Sequence, residues 1–312
     1  MNIAILGSTS QIAKDLIYSF STEDDKKFHL FSRRQDDVAK WLKSVGLSER
    51  HQIDDYVAFG TQEFDAILNF VGIGNPAKAS AMGASIFDVT LEYDELALNY
   101  LRRHPSCRYI FLSSGAAYNS SFDVPASEET KSIIDINKLQ PQDWYSVAKL
   151  RAECRHRSLE HLPIVDIRVF NYFSHTQDME ARFLITDIVR AIRDKTVLKT
   201  SADYMVRDYI GPTDFRQLVS LILNSPTWNS VVDCYTKAPI DKPALLASMQ
   251  DEFDLRYELT QTVEVINATG KKPHYYSLNR RAEDFGYHPK FTSLDNIIAQ
   301  CEKLLMKSEL RN

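Results

Sequence analysis

The sequence predicts an α/β fold in which a doubly wound parallel sheet is followed by a smaller mixed lobe. Through residues 1–172, short apolar runs alternate with longer stretches whose apolar residues have helical spacing. Such alternation is typical of parallel strands joined by helices that cover both faces of the sheet. No segment recurs with a period of about 20 to 50 residues, so a solenoid is not expected.

The composition is that of an ordinary globular protein with no attraction for polyanions. Of the 312 residues, 44% are hydrophobic and 25% are charged, which excludes a disordered chain. Lysine and arginine total 37 against 42 acidic residues, a net charge of −5, so neither a nucleic acid nor a membrane is an expected partner. The apolar runs are short, and the start MNIAILG lacks the features of a signal peptide. We therefore expect a cytoplasmic protein.

The cysteines form neither a disulfide pattern nor a metal-binding pattern. They are widely separated and include no C-x-x-C pair, which predicts reduced thiols and no bound metal. They are Cys107, Cys154, Cys234 and Cys301.

Each element of the first part follows from its apolar pattern. The first strand is expected at 3–6, and Ile12, Leu16 and Ile17 then recur at helical spacing along 11–20. The later strands are expected at 28–31, 65–71, 108–113 and 164–170, and the later helices at 38–45, 85–103 and 145–159.

The second part, residues 173–312, has a looser rhythm and more prolines. We interpret it as a smaller substrate-binding lobe laid against the sheet, from which some strands or helices can return to the first domain. A ligand is expected in the crevice at the carboxyl ends of the strands. Helices are expected at about 180–194, 213–223, 241–252 and 293–307, and short strands near 196–199 and 230–235.

The turn between the first strand and the first helix has the composition of a phosphate-binding loop. It reads GSTSQIA from Gly7, and a loop of this kind aims the free amides of a helix N-terminus at a pyrophosphate. Gly7 can form the tight turn, whereas Ser10 stands where glycine usually lets the backbone approach the phosphate. We expect Gly7, Ser10, Gln11 and Ile12 to contact a dinucleotide. A serine-rich turn without a ligand is the alternative.

The end of the second strand favours NADP(H) over NAD(H). Users of NAD place an acidic residue there for the ribose hydroxyls, whereas an arginine suits a 2′-phosphate. Here the strand is followed by Ser32, Arg33 and Arg34, and arginine donors match a phosphate well. A solvated charged loop is the alternative interpretation, and NAD(H) stays possible.

The segment YSVAK places a phenol and an ammonium on one face of a helix. Tyr145 and Lys149 are four residues apart, so their side chains lie one turn from each other. A free tyrosine has a pKa of about 10, and a nearby ammonium favours its ionised form, as acid–base catalysis requires. Ser114, at the end of an expected strand, can hydrogen-bond the substrate oxygen that Tyr145 protonates. An amphipathic helix with a surface lysine is the alternative.

Seven segments, spread over nearly the whole chain, carry a family resemblance. They are GSTSQIA, NFVG, SSGAAY, YSVAK, IRVFNYF, RDYIGPTD and SLNRRAEDFGYHPKFTSLDNII. With them the chain resembles the extended short-chain dehydrogenase/reductases, the NAD(P)-dependent nucleotide-sugar epimerases, dehydratases and reductases. The resemblance implies a Rossmann-type domain over residues 1–172, a nucleotide-diphosphate sugar as substrate and a homodimer.

The resemblance also implies roles for individual residues. Ser114 and Tyr145 match the catalytic hydroxyl and the acid–base, and Lys149 matches the residue that binds the nicotinamide ribose and lowers the pKa of the tyrosine. The remaining matches are Phe70, Val71 and Gly72 on the nicotinamide side, Ile53 and Asp54 at the adenine, and Asn171 and Arg207 at the sugar-nucleotide diphosphate.

Departures from the family pattern narrow the expected chemistry. The 4,6-dehydratases follow the catalytic hydroxyl with an Asp-Glu pair, but this chain has Gly115 and Ala116 there, so elimination of water is not expected. The leading hypothesis is an NADPH-dependent reductase of a nucleotide-diphospho-4-keto-6-deoxyhexose. A nucleotide-sugar 4-epimerase that retains its NAD(P) is the second hypothesis, and a non-catalytic NADP-sensing module is the third. The nucleotide base and the sugar are left open.

Overall fold

The computed structural model describes residues 1–72, 81–226, 228–260 and 272–309. Its largest sheet has seven strands in the order β11-β6-β5-β4-β1-β2-β3, and every neighbouring pair is parallel. These strands are β1 (Asn2–Leu6), β2 (Lys27–Phe31), β3 (Gln52–Asp54), β4 (Ala66–Asn69), β5 (Arg108–Ser114), β6 (Ile164–Val169) and β11 (Ser230–Asp233).

Helices cover both faces of this sheet, which confirms the predicted doubly wound α/β fold. Alternate strand residues face opposite sides: Ile3 and Ile5 pack in one apolar cluster, and Ala4 and Leu6 pack in another. On the first face lie α1 (Gln11–Ser19), α2 (Gln35–Ser44) and α6 (Pro212–Asn224), and on the second face lie α3 (Ser85–Arg103) and α4 (Trp144–Arg157).

The second part of the chain contributes one strand to the main sheet and forms a separate apolar cluster of its own. Strand β11 extends the main sheet by pairing with β6, and its Val232 is buried in the core of the first face. The 230–235 run is therefore an edge strand of the large sheet, because its apolar residues complete that core. The remaining helices surround a separate apolar cluster: α5 (Leu184–Arg193), α7 (Lys242–Phe253) and α8 (Ser293–Glu309).

Short strand pairs build the wall of this smaller region. Strand β8 (Val197–Ser201) runs parallel to β13 (Arg256–Thr260). Two further short sheets combine β7 (Asn171–Tyr172) with β10 (Tyr209–Ile210), and β9 (Val206–Arg207) with β12 (Ile240–Asp241) and β14 (His274–Tyr275). The sequence patterns did not predict these two-residue strands, because so short a run has no measurable period.

Among the described helices, none combines the length and apolar character that a membrane span requires. The four cysteines are free thiols; Cys154 is exposed and the other three are buried.

Candidate active site

A serine and a tyrosine meet at the carboxyl edge of the sheet. Ser114 is the last residue of β5, and Tyr145 is the second residue of α4, which passes over that edge. Burial raises the pKa of Tyr145, and a hydrogen bond from Ser114 opposes this rise. The phenol is thus neutral near physiological pH and can donate a proton to an oxygen that arrives beside Ser114.

Lys149 lies one helical turn further along α4 and is buried. Its Nζ donates to the Leu112 carbonyl over 2.8 Å and lies 4.3 Å from the centre of the Phe111 ring. Burial lowers the pKa of Lys149 to about 8, although Glu153 favours the ammonium. A Cβ atom built on Gly72 would lie 3.5 Å from Nζ, so this ammonium faces the strand end that the resemblance places beside nicotinamide.

A cavity of about 260 Å³ opens beside Tyr145. Its wall carries hydroxyl, amide and carboxylate groups together with the ammonium-bearing side chain of Lys272, a composition suited to a polyhydroxylated ligand. The polar lining residues are Asn119, Ser120, Ser121, Asp135, Gln142, Asp143, Tyr145, Ser146 and Lys272.

Strand β14 closes the other side of Ser114. The Tyr275 hydroxyl lies 3.3 Å from Ser114 Oγ. The Arg207 guanidinium and the Lys272 ammonium lie over the Tyr275 ring, at 5.9 and 5.0 Å from its centre. Burial and the Arg207 charge lower the pKa of Lys272 to about 8, with Asp143 opposing them. Sequence reasoning missed Tyr275 and Lys272, because no local pattern links them to a serine so distant along the chain.

Of the two residues predicted to hold the diphosphate, Arg207 lies on this side of Ser114 with its guanidinium over the Tyr275 ring, and Asn171 begins β7. One Arg207 Nη atom donates to the Lys272 carbonyl over 2.7 Å and to its own neighbour Val206 over 2.8 Å. The Asn171 amide donates to the Asp208 carbonyl over 3.2 Å. Arg207 is therefore anchored in the short three-stranded sheet rather than extended into solvent.

The β1–α1 turn packs tightly against the end of β4. Gly7 has a φ of +77°, and a Cβ atom there would lie 2.8 Å from the Val71 amide nitrogen, so only glycine fits. Ser10 is the N-cap of α1, whose first turn contains no acidic residue. The first turn therefore adds no carboxylate to the positive end of the helix. Gln11 donates from Nε2 to Ser174 Oγ over 2.9 Å, and Ile12 packs against the core of the first face.

Tyr56 lies beside this turn, a position that the sequence reasoning did not identify. Its hydroxyl accepts a hydrogen bond from the Gly7 amide over 3.0 Å. Its ring stacks on Phe31 and meets Tyr93 edge-on, with centroid distances of 6.4 and 4.6 Å. Burial raises the pKa of Tyr56 to about 12, against a lowering hydrogen bond from Gly7. Tyr56 thus holds the backbone of the β1–α1 turn by a hydrogen bond from a packed aromatic ring.

The two arginines after β2 remain exposed beside the turn. Arg34 donates to Thr9 Oγ1 over 3.2 Å and lies 3.4 Å from the Asp37 carboxylate. Arg33 lowers the pKa of both Tyr56 and Tyr93, which places its charge near these rings. Ser32 is buried, and its Oγ accepts the Arg34 amide over 2.9 Å. A helix N-terminus free of acids and two arginines together fit a phosphate-bearing dinucleotide.

The other predicted cofactor residues lie along the same edge. Ile53 and Asp54 end β3, where Ile53 packs against the core and the Asp54 carbonyl accepts the Ser32 amide over 3.1 Å. Phe70 is buried against Phe215. The structure thus brings the predicted dinucleotide residues and the Ser114–Tyr145 pair to one edge of the sheet.

Charged groups are buried beneath α4. Arg168 donates from Nε to both carboxylate oxygens of Glu153, each over 3.0 Å. Ser113 Oγ donates to the same carboxylate over 2.5 Å. Burial raises the pKa of Glu153, and Arg168 opposes this rise. Because Glu153 lies one turn beyond Lys149, the network braces the helix that carries the catalytic candidates.

Comparison with known sequences identifies the family of the chain. The sequence model of the NAD dependent epimerase/dehydratase family matches residues 3–231. No curated protein matches the sequence.

Solved structures with the same fold cover the whole chain. A UDP-glucose 4-epimerase from Stenotrophomonas maltophila, with bound NAD and formylated UDP-arabinopyranose, has a TM-score of 0.82 and 14% identity, covering 100% of both chains. A UDP-glucuronic acid 4-epimerase from Bacillus cereus, in complex with UDP-glucuronic acid and NAD, has a TM-score of 0.78 and 15% identity, covering 99% of this chain and 100% of that one. A dTDP-glucose 4,6-dehydratase from Bacillus anthracis, in complex with NAD, has a TM-score of 0.76 and 16% identity, covering 99% and 98%.

Proposed function

Because the chain belongs to the NAD dependent epimerase/dehydratase family, we propose that it is an NADPH-dependent reductase of a nucleotide-diphospho-4-keto-6-deoxyhexose. The observation that carries the proposal is the Ser114 hydroxyl next to the Tyr145 phenol at a polar cavity, with the buried Lys149 one turn away along α4. A neutral phenol, an orienting hydroxyl and a cation are the groups that reduction of a ketone requires.

The residues of the β1–α1 turn would hold the dinucleotide. The N-terminus of α1 and Gly7 would receive its pyrophosphate, and Arg33 and Arg34 its 2′-phosphate. When bound, the dinucleotide supplies the hydride. This use of the arginines favours NADPH, although the similar solved structures contain NAD.

The protein's own groups would manage the proton. Tyr145 donates its phenolic proton to the sugar oxygen at C4 as negative charge develops there. Ser114 donates a hydrogen bond to the same oxygen and stabilises that charge. The nearby Lys149 ammonium stabilises the phenolate left on Tyr145, because an opposite charge favours the ionised form.

The surroundings of Ser114 favour reduction over elimination of water. A Cβ atom on Gly115 would lie 2.4 Å from the Phe170 ring, so no acidic side chain fits at this position. Ala116 follows with no titratable group, and its amide donates to Ser114 Oγ over 3.2 Å. The dehydratase chemistry lacks its acid and base at these two positions.

A substrate panel tests the reductase proposal. The purified protein is mixed with NADPH and a 4-keto-6-deoxyhexose linked to UDP, dTDP, CDP or GDP, and NADPH is followed by its absorbance near 340 nm. We expect NADPH loss with at least one sugar nucleotide, and a loss slower by about 10²–10⁴-fold with the Tyr145→Phe variant. NADPH that stays constant with all four would contradict the proposal.

A 4-epimerase is the second candidate, because two of the similar solved structures are 4-epimerases with UDP-sugars bound. This reaction uses the same three side chains, with the cofactor recycled within the site. Retention of the dinucleotide through purification and dialysis, together with interconversion of UDP-sugars without added cofactor, would favour it. Reversible NADPH binding by a protein purified without nucleotide favours the reductase.

A further inference from the structure

The Ser114 hydroxyl has two polar neighbours besides Tyr145. The Ala116 amide donates to Ser114 Oγ over 3.2 Å, and the Tyr275 hydroxyl lies 3.3 Å from the same oxygen. A hydroxyl carries one hydrogen and two acceptor positions. If both neighbours donate, these positions are filled and the hydrogen is directed away from them.

The surroundings of Tyr275 favour its hydroxyl as the donor in the contact with Ser114. Its ring is held between Phe122 and Phe170, with centroid distances of 4.9 and 5.1 Å, and its backbone pairs with Arg207 in the short sheet. Burial raises the pKa of Tyr275 well above its ordinary value, so the phenol keeps its hydrogen. The Ser114 oxygen, 3.3 Å away, is placed to accept that hydrogen.

We propose that Tyr275 is a positioning residue: its hydroxyl donates to Ser114 Oγ and directs the single Ser114 hydrogen away from β14. In the free protein that hydrogen points at Tyr145, and with a substrate bound it points at the sugar oxygen. A Ser114 that donates stabilises the Tyr145 phenolate, whereas a Ser114 that accepts would favour the neutral phenol. Strand β14 thereby sets the proton affinity of the catalytic phenol without touching the reacting atoms. Only the kinetic consequence of this role rests on the proposed function.

The first test reads Tyr145 directly, in the full-length protein labelled with ¹³C at tyrosine Cζ. The Tyr145 signal is identified by its loss in Tyr145→Phe. In Tyr275→Phe, which keeps the ring packing, we expect the Tyr145 signal to move at pH 8 and its proton affinity to rise by about tenfold, the scale of one hydrogen bond. Tyr276→Phe is the matched control, because the Tyr276 ring packs against His274, at a centroid distance of 6.3 Å, and it should leave the Tyr145 signal unchanged.

A second variant separates positioning from a general packing effect. Ser114→Ala should change the Tyr145 signal in the same direction as Tyr275→Phe, and the double variant should change it no further than Ser114→Ala alone, because both changes act through one hydroxyl. An unchanged Tyr145 titration in Tyr275→Phe, or additive effects in the double variant, would overturn the proposal.

Kinetic measurements distinguish a failure of the Tyr275 proposal from a failure of the proposed reductase function. With an active substrate, Tyr275→Phe should lower kcat by about tenfold with little change in KM for the sugar nucleotide. A wild-type protein inactive on every sugar nucleotide contradicts the proposed function alone, since the NMR measurement needs neither sugar nor cofactor.

Discussion

The Nδ1 atom of His156 lies 2.6 Å from Oδ1 of Asp166, and both side chains are completely buried. The other ring nitrogen of His156 lies 2.8 Å from Oδ1 of Asp94 on α3. An imidazole between two carboxylates is best accommodated as an imidazolium. Burial lowers the pKa of His156, but the two aspartates overcome this effect and raise it to about 9.

This arrangement predicts a stability that falls at alkaline pH. Because the folded-state pKa lies above the ordinary value of about 6.5, the stabilisation is complete below pH 6.5 and is lost as the pH rises through about 9. In urea unfolding, the stability difference between wild type and His156→Gln should shrink by up to about 3 kcal/mol between pH 6 and pH 9.5. The exposed His161→Gln is the control, and a difference independent of pH would contradict the imidazolium.

Replacement of the phenol oxygen at Tyr145 should separate catalysis from binding. Tyr145→Phe removes the proton donor, so kcat should fall by about 10²–10⁴-fold while the affinity for dinucleotide stays within a factor of about two. Stopped assays and fluorescence titration measure the two quantities, with the exposed Tyr18→Phe as the control. Unchanged turnover in Tyr145→Phe would show that this phenol takes no part in the reaction. Dinucleotide binding by both proteins, with no turnover even in the wild type, would favour the non-catalytic NADP-sensing module.

The arginines after β2 should determine cofactor preference. Replacement of both Arg33 and Arg34 by alanine should weaken NADPH binding by about 10- to 100-fold, the worth of one or two charged hydrogen bonds. NADH lacks the 2′-phosphate, so its affinity should change little. Calorimetric titration with both nucleotides measures the ratio, and Lys43→Ala on the exposed side of α2 controls for net charge. Equal weakening of both nucleotides would show that the arginines do not contact a 2′-phosphate.

The lack of space at Gly115 predicts a steric penalty. Gly115→Ala should lower the free energy of unfolding by about 1–3 kcal/mol, since the new methyl group displaces the Phe170 ring. In a Phe170→Leu background the same substitution should cost less, because the ring has been removed. Urea unfolding of the four proteins measures this coupling, and an equal penalty in both backgrounds would assign the cost to the backbone alone.

The sequence alone was sufficient to predict the architecture and the candidate catalytic pair. Strand and helix periodicities are local, so the alternation along residues 1–172 predicted the parallel sheet, which the structure confirms. The four-residue spacing of Tyr145 and Lys149 likewise placed both on one face of α4. The roles of these residues remain predictions for the experiments above.

Only the tertiary structure decided which distant residues lie beside the candidate catalytic and cofactor-binding residues. Tyr275 reaches Ser114 across 161 residues of sequence, and Tyr56 reaches Gly7 across 49; no local pattern encodes such distances. The low pKa of Lys149 depends on the same kind of information, because desolvation is produced by the elements that pack over a side chain. Periodicity determines which face of an element is apolar, whereas the meeting of polar groups at an active site depends on how all the elements pack together.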